Sequence, residues 1–144
     1  MITAEQFWKG RDVEYAKELT PQIKANAEET IGRVNELLAL AGRSDDAVAS
    51  GWRPAAVNDH TANAASHSKH LTGEAVDVAD PDRTLATWIA DNLEALEQCK
   101  LWAEDFRWTP HWVHLQIVAP KSEKRIYIPS VAKALDPSFP VTWA

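Results

Sequence analysis

The stretch SHSKHLTGEAVDVAD, residues 66–80, sets imidazole and carboxylate side chains around an apolar run. His67 and His70 are three apart, Gly73 follows, and Asp77 stands between Val76 and Val78. The apolar character of AVDV predicts a short buried strand over 75–78. A carboxylate on such a strand is costly unless a cation or a basic side chain neutralises it. A metal ion shared by His70 and Asp77 meets that need. The two lie seven positions apart, so a straight strand would turn them to opposite faces. A turn at Thr72-Gly73 brings both onto one centre.

Outward from this stretch, all five histidines (His60, His67, His70, His111 and His114) fall within residues 60–114. Scattered surface histidines would not cluster so, and His70 and His114 adjoin the two most apolar strand candidates. Zinc takes imidazole nitrogen and carboxylate oxygen, and a catalytic zinc keeps its fourth position open. His60 and His67 read as solvated loop residues, and Asp80 and Asp82 as helix-start residues. In HWVHLQ, residues 111–116, the strand period of two puts Trp112, His114 and Gln116 on one face. His111 and Val113 then point the other way.

The rest of the chain supplies a scaffold. Residues 2–19 predict one or two short helices. Thr20-Pro21 is a helix start, with Thr20 as N-cap and Pro21 at the first helical position. Ile23, Ala27, Ile31, Val34, Leu38 and Ala41 recur at helical spacing, so a helix is predicted over 21–41, ended by Gly42. A strand is predicted over 47–52, a polar loop over 55–72, and a helix from the Asp80-Pro81 pair to about residue 98. Strands are expected over 101–104 and 112–118, joined by a turn at Thr109-Pro110, with a further one over 125–128. The end of the chain, through Pro137 and Pro140, reads as irregular. Trp102, Trp108 and Trp112 are expected in the core first and as cleft walls second. Together these give an α+β domain spanning 1–144, a small antiparallel sheet carrying the site with helices packed on one side.

Composition narrows the function classes. A chain of 144 residues suits one domain, and 45% apolar residues exclude wholesale disorder. The net charge of −6 and the lack of any basic block argue against nucleic acid and anionic membranes as partners. The apolar runs are too short to span a bilayer. Cys99 is the single cysteine, which excludes an internal disulfide and a thiolate-rich zinc site. The N-terminal residues lack the pattern of a secretory signal, so synthesis in the cytoplasm is expected.

SKHLTGEAVD resembles the S-x-H-x-x-G-x-A-x-D pattern of the zinc peptidoglycan peptidases, with Ser68, His70, Gly73, Ala75 and Asp77 at its fixed positions. That family includes D-Ala-D-Ala carboxypeptidases and phage L-alanyl-D-glutamate endopeptidases, of hedgehog-like fold. SGWRPAAVN, residues 50–58, resembles the family's upstream S-G-[YW]-R-x-x-x-x-N segment, and WVHLQ, residues 112–116, its downstream W-x-H. The resemblance covers residues 50–116 and is nearest to the small phage and prophage members.

The resemblance implies that His70, Asp77 and His114 hold Zn2+ and that Arg53 binds a substrate carboxylate. A guanidinium fork suits that task. Arg53 could also serve as a structural partner of Asp77. Ser68 either orients its loop through backbone hydrogen bonds or touches substrate. The general base is open. Many members carry a carboxylate three residues before the last histidine ligand, where this chain has His111. Glu104, ten residues before His114, could be folded back over the metal by the intervening turn. The activity implied is hydrolysis of an amide bond in the peptidoglycan stem peptide by an endolysin-like endopeptidase. D-Ala-D-Ala carboxypeptidase activity and a silent zinc-stabilised wall-binding or phage-particle module are the alternatives. A monomer is expected, delivered to the wall by another protein.

Overall fold

The computed structural model describes residues 1–61 and 67–129. The expected irregular C-terminal stretch with Pro137 and Pro140 lies outside them, as do residues 62–66 of the expected loop. Helices α1 (Ala4–Trp8) and α2 (Arg11–Glu14) and a 3-10 turn at Ala16–Glu18 lead into the long α3 (Pro21–Leu40). Thr20 caps α3 as the sequence predicts, its Oγ1 accepting from Ile23 N at 3.1 Å, and Gly42 follows the helix with φ +70°. Ala27, Thr30, Val34, Leu37 and Leu38 form its buried stripe.

Five strands make one sheet in the order β1-β2-β4-β3-β5: β1 (Val48–Ser50), β2 (Ala75–Ala79), β3 (Trp102–Glu104), β4 (Trp112–Gln116) and β5 (Ile126–Tyr127). The fold class is α+β, as the sequence predicts. The sheet is mixed rather than antiparallel throughout, because β5 runs parallel to β3. The chain leaves β4, crosses the end of β3 and descends along its far edge. Descending there means running against β4 and therefore with β3. Ala103 N and Asp105 N donate to Arg125 O and Tyr127 O at 2.8 Å each. The Arg125 guanidinium lies over the Trp102 ring, 4.2 Å from its centroid.

The pleat divides the sheet chemically. Val76, Val78, Ala103, Val113, Leu115 and Ile126 join Val34, Leu37, Leu38, Leu85, Ile89 and Leu96 in one buried core. The opposite face carries Asp77, His114, Gln116, Glu104 and Tyr127. Apolar burial against the helices covers one face and leaves the other for polar side chains.

Four local expectations are corrected. Residues Ala55–Asp59 form a short helix, α4, where a loop was expected. The predicted helix over 80–98 begins at Thr84 and divides into α5 (Thr84–Asp91) and α6 (Leu93–Gln98). Asp80 is not its N-cap, since Arg83 takes that place in the left-handed region at φ +65°. The Asp80 carboxylate still does the work of a cap, accepting from Leu85 N and Ala86 N at 2.9 Å each. The break at Asn92 follows from its amide, which donates to Trp88 O at 2.8 Å and competes with the helical ladder. Trp102, Trp108 and Trp112 are half-buried rather than core, and among the described residues the fully buried tryptophan is Trp52. Among the described residues no helix is long and apolar enough to cross a membrane.

Candidate metal centre

The loop between α4 and β2 is tied down at several points. Trp52 packs edge-on against Trp8, with ring centroids 5.8 Å apart, and its Nε1 donates to Leu71 O at 3.0 Å. Arg53 N donates to His70 O at 3.0 Å. On the other side Thr30 Oγ1 of α3 lies 2.8 Å from Gly73 O, and Asn26 Nδ2 donates to Thr72 O at 3.0 Å. Gly73 has φ +76°, and a Cβ there would lie 2.9 Å from Ile23 O. Only glycine meets both conditions. The expected turn at Thr72-Gly73 therefore exists and delivers His70 to the polar face of β2.

His70, Asp77 and His114 meet there. Asp77 pairs directly with His114 across β2 and β4. Asp77 Oδ1 is 2.9 Å from His114 Nδ1 and 3.3 Å from His70 Nε2. The two imidazole centroids are 5.1 Å apart. One ligand atom from each of the three residues lies within 4.8 Å of the others. This buried cluster could hold a metal ion, and it is the group of that kind among the described residues. His70 is only 1% exposed, against 8% for Asp77 and 9% for His114, so the group opens outward past the latter two.

The hydrogen bonds behind the cluster define what it presents. His70 Nδ1 lies 2.7 Å from Gly51 O, an acceptor, so Nδ1 carries the hydrogen. That leaves Nε2 as a buried lone pair, without a hydrogen-bond partner, aimed at the Asp77 carboxylate. A lone pair facing a carboxylate is repulsive unless a cation stands between them. The donor set and its orphaned nitrogen thus fit a divalent ion.

Charge tells the same story. Burial pushes the His70 pKa down, and Asp77 only partly opposes this. Burial would likewise depress His114, but its hydrogen bond to Asp77 and the charges of Asp77 and Glu104 raise it to about 9. Burial would raise Asp77, yet the two imidazoles hold it well below the usual carboxylate range. Without metal, His114 carries the proton that neutralises Asp77.

That proton gives a pH signature. His114 rises from 6.5 to about 9, so its contribution to stability is full below pH 6.5 and is lost as pH rises through about 9. His70, shifted the other way, stabilises above its ordinary 6.5 and loses that contribution only on acidification. The His114 contribution therefore controls the alkaline side. Urea midpoints of chelator-treated protein should fall between pH 6.5 and about 9. A flat or rising profile there contradicts the Asp77–His114 pairing.

Glu104 and Arg53 flank the cluster. The Trp102–Gln116 and Ala103–Leu115 register of β3 and β4, continued by one pair, puts Glu104 opposite His114. Glu104 also pairs with Tyr127. Asp77, His114, Glu104 and Tyr127 thus form a row across four strands. Burial pushes the Glu104 pKa up, helped by Asp77 and Asp105 and opposed by His114 and Arg53. Arg53 is buried, with Nη2 donating to Ser68 Oγ at 3.2 Å and Nε lacking a hydrogen-bond partner. Ser68 Oγ also accepts from His70 N at 3.2 Å, so Ser68 orients both the loop and the guanidinium. His111 is exposed just before β4, where its carbonyl accepts from Asp80 N at 2.8 Å. His60 and His67 are exposed as well.

Two contributors were not legible as such in the sequence. Gly51 sets the His70 tautomer through its carbonyl, and a Cβ at Gly51 would drive into the Phe7 backbone. Gln116 Oε1 lies 2.9 Å from His114 Nε2. Gly51→Ala should lower stability by about 1–3 kcal/mol in chemical denaturation, as overpacking does. An unchanged midpoint would show that the Phe7 backbone yields freely.

No family model, no curated protein and no solved structure matches this chain.

Proposed function

We propose that the chain is a zinc-dependent peptidase acting on the stem peptide of peptidoglycan. The observation that carries this reading is the convergence of two imidazole nitrogens on one oxygen of Asp77, with Glu104 next in the cross-strand row. Two nitrogens and one carboxylate form a donor set that suits zinc with an open fourth position. The likeness of residues 50–116 to zinc peptidoglycan peptidases supplies the substrate class.

His70, Asp77 and His114 would hold the ion. When bound, zinc supplies a Lewis acid that polarises the scissile carbonyl and acidifies water. Glu104, whose burial keeps its affinity for protons high, takes the proton of the attacking water and returns it to the leaving amine. Water is thereby added across the amide, giving a carboxylate and an amine. Arg53, oriented by Ser68, binds a carboxylate of the stem peptide. Asp77 supplies a single negative charge, which leaves a divalent ion net cationic.

The test is incubation of zinc-loaded protein with defined muropeptides and mass analysis of the products. Cleavage within the stem supports the endopeptidase. Release of terminal D-Ala assigns the D-Ala-D-Ala carboxypeptidase instead. Zinc uptake without cleavage leaves a silent wall-binding or phage-particle module.

A further inference from the structure

We infer that Gln116 is a positioning residue for the metal centre: held by Val118 and Tyr127, it decides which nitrogen of His114 faces the ion. The inference rests on the zinc reading of the site but not on hydrolysis. Gln116 Nε2 donates to Val118 O at 2.7 Å. A carbonyl only accepts, so the amide cannot be turned the other way round. Its Oε1 therefore points to His114 Nε2 at 2.9 Å, and Tyr127 Oη donates to the same oxygen at 2.7 Å. An amide oxygen also only accepts, so His114 Nε2 must carry hydrogen. Nδ1 is left to face Asp77 Oδ1 at 2.9 Å.

His70 is set in the opposite sense. Gly51 O holds its Nδ1, and Nε2 faces Asp77. The two imidazoles thus offer different nitrogens, Nε2 from His70 and Nδ1 from His114. Their unlike backing partners, a loop carbonyl and a side-chain amide on the strand itself, account for the difference. Gln116 and Tyr127 lie on the polar face of β4 and β5, so the last strand of the sheet reaches the metal centre through this relay. Outer partners of metal-bound histidines fix ring orientation and ligand basicity.

The experiment uses the full chain, isotope-labelled and loaded with zinc. Two-bond proton–nitrogen spectra of the imidazoles report the tautomers, and competition with a chelator reports zinc affinity. The expected result is hydrogen on Nδ1 of His70 and on Nε2 of His114. Gln116→Leu should lower zinc affinity about 10–100-fold and lose the His114 Nε2–H pattern. Gln116→Glu, which keeps an acceptor, should retain the pattern. Tyr127→Phe should weaken zinc by less than Gln116→Leu does.

Hydrogen on Nδ1 of His114 in the zinc-loaded parent overturns the relay, as does unchanged affinity and tautomer in Gln116→Leu. Should Gln116→Leu not fold, the parent spectrum and the near-isosteric Gln116→Glu decide the matter. Zinc uptake with the expected tautomers but no muropeptide cleavage supports the relay and sinks only the hydrolase reading. A parent chain that takes up no zinc overturns both.

Discussion

Glu104→Gln is expected to bind zinc as the unchanged chain does and to lose about 10²–10⁴-fold in kcat on muropeptides. Glutamine keeps the shape of the side chain but cannot accept a proton. Glu104 stands opposite His114 by register, beside the proposed ligands and outside the ligand group itself. Its raised pKa reflects desolvation first, and a half-buried carboxyl whose proton affinity is raised is better suited to hold and pass on a proton than a solvated one. Zinc content by metal analysis and product formation by mass spectrometry, on the same sample, separate the two effects. Full activity in Glu104→Gln would remove the base role from this residue. The role would then pass to His111, whose ring is exposed at the start of β4. His111→Ala is the matching control and should leave kcat within a few-fold of the parent.

His70→Ala should abolish the stabilisation that zinc gives. A ligand bound only by the folded state stabilises it by about 4 kcal/mol at a free concentration 1,000-fold above Kd. The parent chain should show that gain between chelator-treated and zinc-loaded denaturation curves, and His70→Ala should show almost none. The metal-free baseline should fall too, because a side chain that is only 1% exposed leaves a cavity when truncated. The comparison with and without zinc cancels that baseline. An undiminished zinc effect in His70→Ala would overturn its assignment as a ligand.

The three residues of the candidate metal cluster were legible because each carries a local contradiction. Asp77 is a carboxylate in an apolar strand, and His70 and His114 stand beside strands that otherwise seek burial. A contradiction of that kind is resolved by a common cation, and the strand period then says which neighbours share its face. Gly73 was legible for the same reason, since the spacing from His70 to Asp77 requires a turn. The long helix was readable from Thr20, Pro21 and a regular apolar stripe. Gly51 and Gln116 were not legible in this way, because their roles are directional. One offers a carbonyl and the other an amide oxygen, and only the folded geometry says toward which ring nitrogen. The parallel pairing of β5 was equally hidden, since two residues at a sheet edge carry no periodic signal. The division of the α5–α6 segment depends on where the Asn92 amide turns, and apolar spacing is blind to that.

The row of Asp77, His114, Glu104 and Tyr127 has a consequence for how the protein acquires its chemistry. Asp77 and His114 alone are separated by 37 positions along the chain, and the row is complete only when the outermost edge has zipped into place. The row draws on residues spread from 77 to 127, so it is built by long-range strand pairing and not by any one local segment.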